Sequence, residues 1–574
     1  MTQVCPRKSE AQQTSYTDAN GTTSTTGYDL LGRKTSLNDG KGTTTWAYDS
    51  SSEHRGVVTS EDIGVAGAPS TFTATYNAGG DLATQTYPNG LVATSRYDND
   101  GNRFALNYTK DGTQWMGFAA ATDVDGKIRA QTSPQSAQTY VYDYADRLVS
   151  VSDAVNGTGS STSCVVRAYT FDTDSNRTAL VSYPAGTGGA CQASSNPTTR
   201  SNTVDAADRI TNAGYTYDTL GRTLTVPATD AVSTGANTAA VGNLTVGYYT
   251  NDMVATQTQG TGSVTTTLDP NRNRIATTTN NTTTTTNHYT GDDDSPDWTS
   301  TTPTAWTRNL TGTDGDFAAT ADHTGTVTLQ LTNLHGDIIA TCADTTTATA
   351  VSSYTESTEY GLPRDTTTAF TDYGWLGTKQ RSQNALGGLT LMGARLYNPA
   401  TGRFLTTDPI PGGNPNTYTY PLDPINQLDL TGQWGFRKWI KKHSKVIGRV
   451  VAVAGIVALA ATGVGMIAEG SMLVGAIGLA ATGVSAAGGG ALCYGGGGSR
   501  GARFANCFGA AMDAFGGAAA GAGMLYKGLS IGRHAAHGFR FAGMSRGFSA
   551  IGGLESVASS SWLWASHTSR RRWW

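Results

Sequence analysis

Tyr217-Asp218-Thr219-Leu220-Gly221-Arg222, followed by Thr223-Leu224-Thr225-Val226, spells out a strand end, a tight turn and a return strand. Asp bonds its own backbone across a turn, and Gly accepts the positive φ that such a turn demands. The Arg after the turn faces the Asp before it, and the β-branched run that follows suits a strand. The same order recurs at Tyr28-Asp29 through Arg33, Tyr97-Asp98 through Arg103, Tyr142-Asp143 through Arg147, Phe171-Asp172 through Arg177 and Asp205 through Arg209. Weaker copies stand at Tyr48-Asp49, Tyr76-Asn77 and Leu268-Asp269. One such hairpin cannot bury its apolar face alone, so the copies must stack. A propeller is the other all-β arrangement to weigh, but the copies are irregularly spaced and carry no blade signature.

Composition agrees. Charged residues are 15 % of the 574, and Gly supplies 71 positions, against about 25 % charge in ordinary soluble domains. The net charge of -4 conceals two halves. After Gln433 there are 15 Lys/Arg and three acids, a net +12, which leaves -16 on 1–433. A sign change at one point marks parts with different partners.

A second specific stretch runs from Glu359-Tyr360-Gly361 through Tyr373-Gly374-Trp375-Leu376-Gly377 and Gly393-Ala394-Arg395-Leu396-Tyr397-Asn398-Pro399. It continues through Gly402-Arg403-Phe404-Leu405-Thr406-Thr407-Asp408-Pro409 to Asp423-Pro424 and Asp429-Leu430-Thr431-Gly432. With the repeats, this block resembles the Rhs/YD-repeat family, which includes the C component of insecticidal Tc toxins and the teneurins. The resemblance covers about residues 20–432. It implies a mainly β fold in which the hairpins form one long spiralling sheet closed into a shell. The expected organisation is a YD-repeat shell over 1–358, an Rhs-associated core or plug over 359–433, and a variable C-terminal segment over 434–574.

Some members of that family cut themselves after the core block with a pair of aspartates. The matching residues are Asp408 and Asp429, with Arg403 nearby to hold one of them ionised, and the junction falls at Gly432, Gln433 and Trp434. Two carboxylates brought close share one proton, so one serves as base and the other as acid. The chain departs from the family pattern, Asp-Pro-x-Gly and then an apolar residue, by having Leu430 after Asp429 and Gln433 after Gly432. Turn capping by both aspartates is therefore the alternative to self-cleavage.

Beyond the junction the composition changes. Trp434, Lys438, Trp439, Lys441 and Lys442 mix cations with aromatics, as suits a helix at a membrane interface. Val450–Ala468 is 19 residues without charge, long enough to cross a bilayer core of about 30 Å. A second uncharged run, 472–494, completes an α-helical hydrophobic hairpin. His534 and His537 lack the Glu and third ligand of a zinc site, and no metal or cofactor is expected. The expected partners are the chain's own tail as cargo, an immunity protein and a lipid membrane, with neither nucleic acid nor a small-molecule substrate. Two other readings stay open: a surface-binding protein anchored by its tail, or a carrier whose enzymatic toxin is missing. Met1–Gln13 lacks the apolar core of a signal peptide, so a secreted or surface location rests on the chain being part of a longer protein. Cys164 and Cys191 flank one repeat and are either a disulfide or two thiols.

Overall fold

The computed structural model describes residues 12–156, 162–232, 241–365, 371–410 and 414–433. Their regular structure is built from antiparallel strands. A 16-stranded sheet runs in strict chain order from Ser15–Thr17 to Thr198–Ser201, and a 13-stranded sheet from Thr216–Tyr217 to Ser353–Tyr354. The expected single sheet is thus two. The interruption is the hairpin around Asp205, where pairing shrinks to one bridge, Val204 to Ile210. A third sheet of three short strands, Thr390–Met392, Arg395–Asn398 and Arg403–Phe404, lies within the core block.

The repeat chemistry explains why the hairpins stack. Asp218 Oδ1 accepts the backbone N–H of Leu220 and of Arg222, both at 2.9 Å. In four copies the other carboxylate oxygen takes the Arg Nε, at 2.6 to 2.8 Å (Arg33, Arg147, Arg209, Arg222). The Arg then covers a ring of the next unit: Arg33 over Tyr48 at 4.5 Å, Arg147 over Phe171 at 5.0 Å, Arg222 over Tyr248 at 5.3 Å. In several copies the Tyr sits at a one-residue register shift and its hydroxyl donates to the first carbonyl of the preceding strand. Examples are Tyr48 to Lys34 at 2.7 Å, Tyr142 to Ile128 at 3.0 Å and Tyr248 to Thr223 at 2.8 Å. Gly221 has a φ of +82°, and a Cβ there would stand 2.6 Å from the Tyr418 hydroxyl.

Two copies differ from the expected pairing. Asp98 and Asp172 are bonded by Asn102 and Asn176, not by Arg103 and Arg177. Arg177 lies one residue later, and in a strand that single step turns the side chain to the other face. It reaches the Ala400 carbonyl at 2.6 Å and covers Tyr360 at 4.8 Å.

The two long sheets pack on each other. Ile63, Phe72, Leu91, Tyr108 and Phe118 of the first meet Leu310, Leu329, Leu331 and Ile339 of the second. Polar ties cross the same contact: Arg308 bonds Asp39 at 2.7 Å and the Ile63 carbonyl at 2.8 Å. The core block has an apolar centre of its own in Trp375, Leu376, Met392, Tyr397, Phe404 and Tyr420, and it packs on the first sheet through Tyr360 and on the second through Leu389, Leu396 and Leu405. Backbone bonds join it to them, Leu148 N–H to Leu422 at 2.9 Å on the first and Thr223 N–H to Leu405 at 2.8 Å on the second.

Cys164 and Cys191 form a disulfide, which settles the alternative left open by the sequence. Among the described residues no helix is long and apolar enough to cross a membrane. The expected spans at 450–468 and 472–494, the interface residues Trp434, Lys438, Trp439, Lys441 and Lys442, and His534 and His537 lie outside the described residues.

A cavity of about 470 Å³ between the sheets holds Glu61, whose Oε2 has no hydrogen-bond partner and whose Oε1 accepts from Thr311 at 2.9 Å. Burial pushes Glu61 up to about 8, against about 4.3 in an unfolded chain. The folded form favours the proton, so this group's contribution to stability is full in acid and drains as pH rises toward about 8. Glu61→Gln is therefore expected to raise the melting temperature at pH 8 and leave it unchanged at pH 4, as thermal melts at the two pH values will show.

Candidate functional site: a buried arginine between two aspartates

Arg395 opens the middle strand of the small sheet, and every residue of that strand is buried. A guanidinium with a side chain only 1 % exposed must find acceptors for its N–H groups or forfeit several kcal/mol. It finds them in two aspartates and three carbonyls. Nη2 lies 3.1 Å from Asp408 Oδ2 and 3.2 Å from Asp429 Oδ2. Nη1 donates to the Thr417 carbonyl at 3.1 Å and the Thr406 carbonyl at 3.5 Å, and Nε donates to the Gly432 carbonyl. The face of the guanidinium lies 3.6 Å from the Phe404 ring centre.

Each aspartate is fixed by its own turn. Asp408 donates its N–H to the Thr417 carbonyl at 2.8 Å, and its Oδ1 accepts the Ile410 N–H at 2.8 Å. Asp429 Oδ1 accepts the N–H of Gln433 at 3.2 Å. The Thr431 carbonyl accepts from Ala394 at 3.1 Å, which presses 431–432 against the small sheet. Gly432 has a φ of +59°, and a Cβ on it would come 2.4 Å from the Met392 carbonyl. The peptide between Gly432 and Gln433 is thereby held at both ends, its carbonyl on Arg395 and its N–H on Asp429.

Burial raises Asp429 above the usual carboxylate range and the charge of Asp408 adds to it, while Arg395 opposes both. Burial likewise lowers Arg395 against the pull of the two carboxylates. With both aspartates ionised the cluster carries a net negative charge in a dry site; one proton on the pair neutralises it.

The structure places Asp408 and Asp429, the two aspartates expected from the sequence, on Arg395, and it places Arg403 elsewhere. Arg403 bonds Asn176 Oδ1 at 2.7 Å and the Asp208 carbonyl, and covers Tyr418 at 5.2 Å, so it ties the block to the long sheets. Tyr397 pairs with Phe404 and Asn398 with Arg403. Strand alternation then puts Arg395, Tyr397 and Phe404 on one face and Arg403 on the other. One signal pointed to Arg395: it is the single charge in the run Leu389–Pro399, and a charge inside an apolar run needs a buried partner. Gly432 and Gln433 are at the site; Trp434 lies outside the described residues. Among the described residues no group of three or more His, Cys, Asp or Glu is arranged to hold a metal.

No family model matches the chain, and no curated protein matches it. Solved structures do. The Photorhabdus luminescens Tc holotoxin pore with a mutated TccC3 matches over 72 % of this chain at 16 % identity and a TM-score of 0.55. The TcdB2–TccC3 structure without its hypervariable C-terminal region gives 15 % identity and 0.51, and TcdB2–TccC3–Cdc42 gives 16 % and 0.50. The match takes in only 21–22 % of each of those chains. The likeness is one of fold: the described residues share the β architecture of the matched part of these Tc toxin structures.

Proposed function

We propose that residues 1–433 form part of a toxin shell that carries 434–574 as its cargo, and that Asp408 and Asp429 sever the chain at Gly432–Trp434. The observation that carries this reading is the convergence of both carboxylates and the 432–433 peptide on one buried guanidinium. Water adds to the peptide carbonyl carbon, one aspartate takes its proton, the C–N bond breaks, and the other aspartate protonates the leaving amine. Nε of Arg395 meets the negative charge that grows on the Gly432 oxygen. The likeness to Tc toxin structures supports the carrier role. The opposite charges of 1–433 and 434–574 suit an acidic container with a basic content. The Cys164–Cys191 disulfide supports export, because cystines persist in oxidising compartments. A membrane as the tail's target and an immunity protein as its antidote complete the proposal.

A second reading has its own observation: both aspartates also accept turn N–H groups, Ile410 on Asp408 and Gln433 on Asp429. One measurement separates the two. The mass of the full chain under denaturing conditions is compared with that of Asp408→Asn and Asp429→Asn. Cleavage predicts a fragment beginning at 433 or 434 in the wild type and a rate lower by ~10²–10⁴-fold in both variants. An intact wild-type chain would leave the aspartates as caps.

A further inference from the structure

Asp18 occupies the Asp position of a repeat turn, Tyr16-Thr17-Asp18-Ala19-Asn20-Gly21-Thr22, but the position that Arg fills in other copies is Thr22. Its Oδ1 accepts the turn's N–H groups from Asn20 at 2.9 Å and Thr22 at 2.8 Å. Its Oδ2 is left for a group from the other long sheet, His288 Nδ1, at 2.9 Å. The far nitrogen of the same ring, Nε2, lies 3.2 Å from Ser300 Oγ. Carboxylate, imidazole and hydroxyl therefore stand in line, with the aspartate side chain fully buried and the histidine side chain 8 % exposed.

The chemistry of each member sets its role. Burial works against the Asp18 charge, yet the bonds from His288, Thr22 and Asn20 together hold it below the usual carboxylate range. An ionised carboxylate only accepts, so the His288 proton sits on Nδ1, shared with the Thr22 hydroxyl at 3.1 Å, and Nε2 is the acceptor for the serine. The ring is locked by stacking on Trp298, at 3.5 Å between centres and 9° between planes. A second histidine, His335, shows the contrast: Asp337 is on one nitrogen at 2.8 Å, but the Pro424 carbonyl is on the other at 2.9 Å, so it has no hydroxyl to activate.

Ser300 is partly exposed and lies directly opposite Trp306 on the neighbouring strand, two residues beyond Trp298 on the same face. Lys41 holds its ammonium over both indoles, 4.6 Å from the Trp298 ring and 5.6 Å from the Trp306 ring. Ser300 thus shares its face of the sheet with two indoles, one of them stacked on His288.

We propose that Asp18, His288 and Ser300 form a nucleophilic site that takes the acyl group of a small ester. Ser300 Oγ bonds to the carbonyl carbon while His288 Nε2 takes its proton. The bond to the leaving oxygen breaks, and His288 returns the proton to it. Water then releases the acid by the same relay and restores the serine.

The full chain is incubated with a fluorophosphonate probe, in which Ser300 Oγ displaces fluoride from phosphorus, and the labelled peptide is identified by mass. In the native chain the adduct is expected on the Ser300 peptide. It should be absent in the urea-unfolded chain and in Ser300→Ala, and form ~10²–10⁴-fold more slowly in His288→Gln. Because His288→Gln removes buried contacts, Asp18→Asn is labelled beside it, and the adduct should form more slowly there as well. A native chain that gives no Ser300 adduct, or a rate unchanged in both variants, overturns the site and leaves the triplet as a tie between the two sheets.

Discussion

Arg395→Met is expected to destabilise the fold by about 3–5 kcal/mol at neutral pH, the cost of stripping one partner from a buried ion pair. The side chain is similar in length but leaves Asp408 and Asp429 facing each other without the cation, at 4 % and 2 % side-chain exposure. It also takes the Arg395 donor from the Gly432 carbonyl, while the Thr417 carbonyl keeps the Asp408 N–H. The pH dependence is the diagnostic part. Asp429 already stands above the usual carboxylate range, and loss of the guanidinium moves it further up. A carboxyl raised in the fold stabilises fully below its unfolded value and less as pH climbs through the folded one. The deficit between variant and wild type should therefore be largest at pH 7 and shrink toward pH 4. Urea melts at both pH values check this. A deficit that is the same at both would mean that the loss is one of packing, through the stack on Phe404. The same substitution should abolish the tail fragment, since it removes the donor to the Gly432 carbonyl.

Arg167→Met is expected to cost a similar ~3–5 kcal/mol, through a different network. Arg167 bonds both oxygens of Glu359, at 2.8 Å from Nε and 2.8 Å from Nη2, and also bonds Asp153 at 2.8 Å. Tyr169 adds a hydroxyl to the same carboxylate. Glu359 opens the core block, so this network fastens the block to the first sheet. Burial alone would push Glu359 up, but Arg167 and Tyr169 overcome it and hold the carboxyl below its ordinary range. The sign is opposite to that of Asp429. A depressed carboxylate stabilises above its unfolded value of about 4.3 and loses that contribution as pH falls through the folded value. In the wild type this stabilisation disappears in acid; in the variant there is none to lose. The melting temperatures of the two should converge below pH 4. Hydrogen exchange should show the loosening first in 359–365 of the core block. Equal exchange there in both proteins would place the network's contribution elsewhere.

The repeat turns were legible because their chemistry is local. An Asp that bonds its own turn, a residue that takes positive φ and an Arg four positions on are all set within one hairpin, as Asp29, Asp143, Asp205 and Asp218 show. The pairing of Asp408 with Asp429 was legible only through the resemblance of the block, since 21 residues separate them. Where a one-residue offset decided a face, the sequence misled: Arg103 and Arg177 carry the right charge one position beyond the residue that bonds the turn aspartate.

By itself the sequence determined the antiparallel repeat, the boundary in charge at 433 and the candidate aspartates. Each of these depends on residues close in the chain or on a motif copied whole. Only the tertiary structure decided that the repeats make two sheets, that Arg395 and not Arg403 joins the aspartates, and that Asp18 meets His288 across 270 residues. Strand register and sheet packing make those choices. They follow from how many apolar faces are buried at once, which no single hairpin encodes.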